Sequence, residues 1–185
     1  MRLLVFAHRA EAQTFLKQGS YKSLESISCP IYKNSDSYLI ISSEGIFSAL
    51  EATTATLSRF EDIQMIINFG VAGALDERVE LDSIYEVRTC YAIQNEVLEF
   101  KSYTSNSDSI IDCITSSSRT LNQEQAEKLS CFASVVDREL WAIARAAGNF
   151  HKKFKAYKLI SDEPYKESES SAVCELIKEK AEYYS

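Results

Sequence analysis

The chain has 185 residues, enough for one domain with a self-sufficient apolar core, and its 45% apolar and 25% charged residues are those of a folded globular protein. A net charge of -7 and a sequence pI near 5.0 argue against nucleic-acid or anionic-membrane partners, because phosphate binding relies on clustered Lys and Arg. Five cysteines without C-x-x-C spacing and only two histidines, His8 and His151, argue against a metal site, so reduced structural thiols and no cofactor are expected.

The chain begins with an apolar run, Leu3 to Ala7, that reads as a buried strand. It is too short for a secretory signal or for the roughly 20 apolar residues of a membrane helix, so a soluble, cytoplasmic protein is expected. Glu11 to Lys17 follows as a short helix. "CPIYKNSDSYLIISS" predicts a hairpin turning at Asn34 to Asp36. In "EGIFSALEATTATLSRF", Ile46, Ala49, Leu50, Thr53, Thr54 and Leu57 recur at helical spacing.

"IQMIINFG" is apolar almost throughout, as for a strand covered on both faces. "SIYEVRTCYAI", "VLEFKSY" and "SIIDCIT" are further strand candidates, and the polar "SSSRTLNQEQAEK" loops into a short helix. The apolar run Phe132 to Val136 leads into a helix with Asp137 at its start, Leu140, Ile143, Ala144 and Ala147 on one face, and Gly148 near its end. A last strand, "FKAYKLIS", precedes a C-terminal helix with Val173, Leu176, Ile177, Lys180 and Ala181 on one stripe. Alternating strands and helices without linker or repeat predict a single α/β domain over 1–185.

Open α/β sheets build their sites at strand ends, and four polar groups fall there. Glu11 follows the first strand, Gly70 and Gly73 close "NFGVAGAL", Glu139 follows the run ending at Val136, and Asp162 ends "KLISD". Each has a plain structural reading: Glu11 and Glu139 as helix-start charges, the glycines as a tight turn, Asp162 as a cap. Carboxylates at three separate strand ends point instead to acid–base chemistry.

Taken in order, "MRLLVFAHRAEA", "ISSEGIFSALEA", "INFGVAGALDERVELDSIYEV", "VVDRELWAIARAAGNF" and "KLISDEP" resemble the methylthioadenosine/S-adenosylhomocysteine nucleosidases of the nucleoside phosphorylase superfamily. The resemblance runs from residue 1 to about residue 170 and implies a three-layer sandwich around a central mixed β-sheet, commonly a homodimer, that splits nucleosides at the N-glycosidic bond. It also implies roles. Asp162 matches the acid that protonates purine N7, with Ser161 beside it, and Glu139 matches the glutamate that holds the ribose 2′- and 3′-hydroxyls. Glu11 matches the glutamate that orients water, although an ungapped alignment puts Ala12 there.

Val71, Ala72 and Gly73 fall in the family's glycine-rich turn, with Val71 where serine is frequent. Lys158 stands for an arginine near the water, and Arg138 for a methionine against the sugar. Arg119, Thr120 and Leu121 occupy the place of the aromatic that stacks on adenine, so Arg138 or Arg119 is a candidate partner for an anionic substrate group. The chain is short between Ser102 and Ile110, as in compact aminodeoxyfutalosine nucleosidases of the futalosine route to menaquinone.

The resemblance implies a hydrolase releasing adenine from aminodeoxyfutalosine, methylthioadenosine or adenosylhomocysteine. A phosphate-dependent phosphorylase, suggested by Arg9, and a nucleoside-binding protein on a decayed scaffold are the alternatives.

Overall fold

The computed structural model describes residues 1–164 except 27, 96, 100 and 121. The expected C-terminal helix and Leu121 therefore lie outside the described residues.

Strand β1 (Arg2–Phe6) leads to helix α1 (Arg9–Gln18), short strand β2 (Lys22–Leu24) and the hairpin β3 (Ile31–Lys33) to β4 (Ser37–Ile41). The hairpin turn is made by Asn34, whose Oδ1 accepts from the amides of Asp36 at 2.9 Å and Ser37 at 2.8 Å. Helix α2 (Ile46–Arg59) returns the chain to β5 (Met65–Ala74). Then come β6 (Ile84–Gln94), the two-residue strands β7 (Val97–Leu98) and β8 (Tyr103–Thr104), β9 (Ile111–Ser116), helix α3 (Gln123–Ser130), β10 (Val135–Asp137), helix α4 (Leu140–Asn149) and β11 (Lys153–Asp162).

The three layers follow from strand alternation. Leu3 and Val5 of β1, Ile40 of β4 and Ile66 of β5 face α2 and α4 and pack on Ile46, Ala49, Leu57 and Ile143. Leu4, Phe6, Leu39 and Ile41 face the other way and are covered by Ala12, Phe15 and Leu16 of α1. Each such aliphatic side chain contributes about 1.5–3 kcal/mol when removed from water. On α2 the buried stripe is rotated from the expected one, taking in Ala52 and Thr56 in place of Leu50 and Thr54.

One edge of the mixed sheet closes on itself. Along β5, β11 pairs in parallel on one side, while the other side pairs first with β1, at Met65 to Asn68, and then with β10, at Gly73 and Ala74. With β10 on β9, β9 on β6 and β6 on β11, five strands form a ring. Side chains from all five meet in one cluster that includes Ala72, Ala156, Cys90, Cys113 and Val135, against Trp141 of α4.

Two local expectations are corrected. Gly70 and Gly73 do not make a turn: β5 runs four residues beyond the predicted strand, and neither glycine has positive φ. Gly73 is required by a close approach, since a Cβ there would lie 2.8 Å from Pro164 Cγ. The predicted strand "VLEFKSY" is broken into β7 and β8, and between them the Lys101 carbonyl accepts from Trp141 Nε1 at 2.6 Å. β2 was not apparent in the sequence, because a three-residue, half-polar edge strand carries almost no periodicity.

Candidate active site

The cleft opens where β5 leaves β1 and has not yet met β10, the kind of strand divergence at which α/β sheets bind ligands. Between those pairings the Val71 amide points at Glu11, whose Oε1 accepts from it at 3.3 Å. Glu11 Oε2 accepts from the His8 amide at 2.8 Å, so the residue also stabilises the start of α1. The helix-start reading of Glu11 holds, and the same side chain lines the cleft. Ala12, the other candidate for its place, is fully buried in the core.

Asp162 is delivered by a bulge. β11 pairs residue for residue with β5 until Ile160 opposes Ala72, and then Asp162 opposes Gly73, leaving Ser161 as the extra residue. The bulge buries Ser161 and leaves Asp162 half-buried at the cleft wall. Ser161 Oγ lies 2.7 Å from Asp162 Oδ1 and donates to it, which fixes the carboxyl's orientation.

Glu139 stands at the first position before α4 and is buried. Its Oε1 accepts from the Gly45 amide at 2.7 Å, tying it to the start of α2. Gly45 has φ of 97°, a left-handed conformation that glycine adopts without strain. Burial, reinforced by the neighbouring Asp137 charge, pushes the Glu139 carboxyl up to about 7. Burial also raises Glu11, against the lowering pull of its amide donor at His8.

Lys158 was expected at the substrate but does not line the cleft. It is buried to 1% exposure beneath Gly70, and its Nζ donates to Asp137 Oδ2 at 2.6 Å. Asp137 Oδ1 in turn accepts from Thr115 Oγ1 at 2.6 Å, and Oδ2 accepts from the Leu140 amide at 2.9 Å. Burial alone would lower the Lys158 pKa, but the Asp137 charge outweighs it and holds the ammonium protonated. An ion so enclosed acts on substrate only through its effect on Glu11 and Glu139. The expected cap role of Asp137 is therefore real but partial. Cys90 and Cys113, paired across β6 and β9 beside this network, are free thiols whose pKa is raised by burial.

The cleft encloses about 790 Å³ including its open mouth. Glu11, Val71, Ala72, Gly73, Thr120, Arg138, Glu139, Ser161 and Asp162 all line it, as does Arg119. Among the described residues no Phe, Tyr or Trp does. Glu44, His8 and Pro164 line it as well and were not singled out in the sequence. A polar Glu44 directly before the α2 glycine was the available signal. Arg9, which suggested phosphate, instead donates to the Tyr32 hydroxyl at 3.3 Å.

This α/β architecture is the nucleoside phosphorylase/nucleosidase-like fold. Among solved structures, methylthioadenosine/S-adenosylhomocysteine nucleosidase from Helicobacter pylori superposes with a TM-score of 0.85 at 16% identity, covering 97% of this chain and 92% of that one. Futalosine hydrolase of Helicobacter pylori gives 0.86 at 17% identity over 97% and 91%. The nucleosidase of Colwellia psychrerythraea, solved with adenine, gives 0.82 at 20% identity over 97% and 89%. At these identities the likeness establishes the fold. No protein-family profile and no curated protein sequence matches the chain.

Proposed function

We propose that the protein is a nucleosidase that hydrolyses the N-glycosidic bond of 5′-substituted adenosine-type nucleosides and releases adenine. The observation that carries this reading is the convergence of Glu11, Glu139 and Asp162, from three separate elements, on one cleft at the strand ends. It is supported by the fold shared with nucleosidases, one of which was solved with 5′-methylthioadenosine in its active site and another with adenine.

In this mechanism Asp162, oriented by Ser161, gives a proton to N7 of the purine as the bond from N9 to C1′ breaks. The sugar becomes oxocarbenium-like. Water held by Glu11 adds its oxygen to C1′, and its proton passes to the Glu11 carboxylate, whose burial raises its affinity for that proton. Glu139 accepts hydrogen bonds from the two ribose hydroxyls, a task suited to a carboxylate's paired acceptors. Val71, Ala72 and Gly73 form the wall beside the sugar, and Thr120 borders the base. No cofactor or metal enters the scheme.

The substrate set is aminodeoxyfutalosine, as an intermediate toward menaquinone, together with methylthioadenosine and S-adenosylhomocysteine. Adenine release from the three, measured in parallel without phosphate, tests the reading; strict dependence on phosphate would replace it with phosphorolysis. Arg9 is not among the residues that line the cleft, which favours water. We further propose one domain acting in the cytoplasm as a homodimer, consistent with the exposed Phe47 close to Glu44. Sedimentation at the 20.9 kDa mass of one chain would overturn the dimer.

A further inference from the structure

We propose that Gly70 is a positioning residue: lacking a side chain, it leaves the buried Lys158 ammonium and the Glu11 carboxylate facing one open space, so that Lys158 keeps Glu11 charged and able to take a proton from water. The inference rests on the nucleosidase reading, in which Glu11 is the base, and adds to it a residue that is not among those lining the cleft.

Glycine inside a strand costs chain entropy and packs nothing, so it marks a place where something else needs the room. Gly70 lies within β5, opposite Lys158 of β11 in register, and its φ is not positive. Backbone conformation therefore does not require it. Nor does close packing, as it does at Gly73. Outside its chain neighbours, a Cβ at position 70 would meet two atoms among the described residues, Lys158 Nζ at 3.4 Å and Glu11 Oε1 at 3.6 Å. Both are ordinary contact distances, so a methyl fits there. What it would change is the space that the ammonium and the carboxylate share.

Lys158 is the only buried lysine or arginine among the described residues, against the buried carboxyls Glu11, Asp137 and Glu139. An ammonium has three donors, and Asp137 Oδ2 takes one of them at 2.6 Å. The open space lets another reach toward Glu11, directly or through a water. The two cleft carboxyls feel the pair differently. Glu139 is raised by burial and by Asp137, and lowered by Lys158. Glu11 is raised by burial, but the neighbouring charges that weigh most on it, His8 and Lys158, both lower it. The remaining ionisable groups around the cleft are Asp162 at the end of β11, Glu44 before α2, Arg119 after β9 and Arg138 after β10. Cys90 and Cys113, held neutral by burial, add no charge. One buried cation thus serves as counter-ion to Asp137 and as the stabiliser of a charged Glu11, and the gap at Gly70 permits the second task.

The charge on Glu11 can be read directly. In protein carrying ¹³C at its glutamate carboxyls, the Glu11 resonance is the one that Glu11→Gln removes, and NMR follows its titration midpoint. Gly70→Ala sets a methyl against both charged atoms and bars the link between them. The midpoint should rise by about one pH unit, with the melting temperature unchanged or higher. Gly70→Ser adds the same carbon but a hydroxyl that donates to Glu11, so its shift should be less than about half as large. In Lys158→Met/Asp137→Asn, where the pair is neutral, the midpoint should already be raised, and adding Gly70→Ala should move it by no more than about a third as much. Relative to the parent, kcat of Gly70→Ala should fall roughly tenfold on the acid side of the midpoint and recover at alkaline pH, with KM within about threefold. Equal shifts in the alanine and serine variants, or an undiminished shift in the neutral-pair protein, overturn the proposal by assigning the effect to bulk. An unmoved midpoint in the neutral-pair protein overturns it even if Gly70→Ala does not fold. If the midpoints move as expected but no nucleoside releases adenine, the hydrolase reading falls and the control of Glu11 by Lys158 stands.

Discussion

Two regions of the molecule are built on opposite principles. Where α2 and α4 cover β1, β4 and β5, the contacts are aliphatic and small: Leu3, Val5, Ile40, Ala49, Ile143 and Ala147 meet without a charged atom. A few strands away, the closed ring of β5, β10, β9, β6 and β11 encloses a lysine and an aspartate at 2.6 Å, both buried. The aliphatic layer is stabilised by area and fit, so damage there scales with volume lost. The ring's ion pair offers little net stability against an apolar replacement, yet either charge left alone is costly. Such a device suits a site that must hold ionised groups near a cleft whose carboxyls are being pushed toward protonation.

The contrast can be broken most severely at the cleft itself. Asp162→Asn is expected to reduce adenine release by roughly 10²- to 10⁴-fold, the range for loss of a general acid. Because Asp162 is half-exposed at a strand end, its melting temperature should stay close to that of the parent. A variant that cleaves as well as the parent would remove Asp162 from the mechanism.

The ring comes next. Lys158→Met strands the Asp137 charge and is expected to cost about 3–5 kcal/mol in denaturant unfolding. Adding Asp137→Asn, which preserves an acceptor for Leu140 and Thr115, should recover most of that loss. If the double variant is no more stable than Lys158→Met, the pair is not the reason for the cost. In the aliphatic layer, Ile143→Ala should cost about 2–5 kcal/mol with activity per folded molecule unchanged. Lost activity at equal folded fraction would mean that the layers are less independent than their chemistry suggests.

The smallest effect is a pH dependence. Glu139 has its carboxyl raised from 4.5 to about 7, so between these values the folded protein holds a proton that the unfolded chain has released. Its contribution to stability is therefore present at acidic pH and is lost as pH rises through about 7; the parent should lose stability over that interval relative to Glu139→Gln. Activity moves the other way. The carboxylate that accepts the ribose hydroxyls is lost below about 7, so kcat/KM should fall by up to about tenfold per pH unit there. A flat profile from 5 to 8 would deny Glu139 that role.

Legibility in the sequence differed between the same two regions. The aliphatic layer was readable because its residues repeat at strand and helix periods, as in Ile143 and Ala147 of α4, both buried as expected. The ring was only partly readable. The resemblance set Lys158 near the water, and nothing local pairs it with Asp137, 21 positions earlier. The strand-end carboxylates were visible one by one, but the role of Glu44 depends on two arginines brought in from other loops.

The sequence by itself determined the order of the longer strands and helices up to β11, the carboxylates at their ends and the small residues of β5, since each follows from local periodicity or side-chain size. The tertiary structure decided what these do together. Closure of the ring put Lys158 under Asp137, the Ser161 bulge aimed Asp162 at the cleft, and the divergence of β5 from β1 gave Glu11 the Val71 amide. Those outcomes depend on strand register and on charges meeting across long sequence separations, which no local pattern encodes.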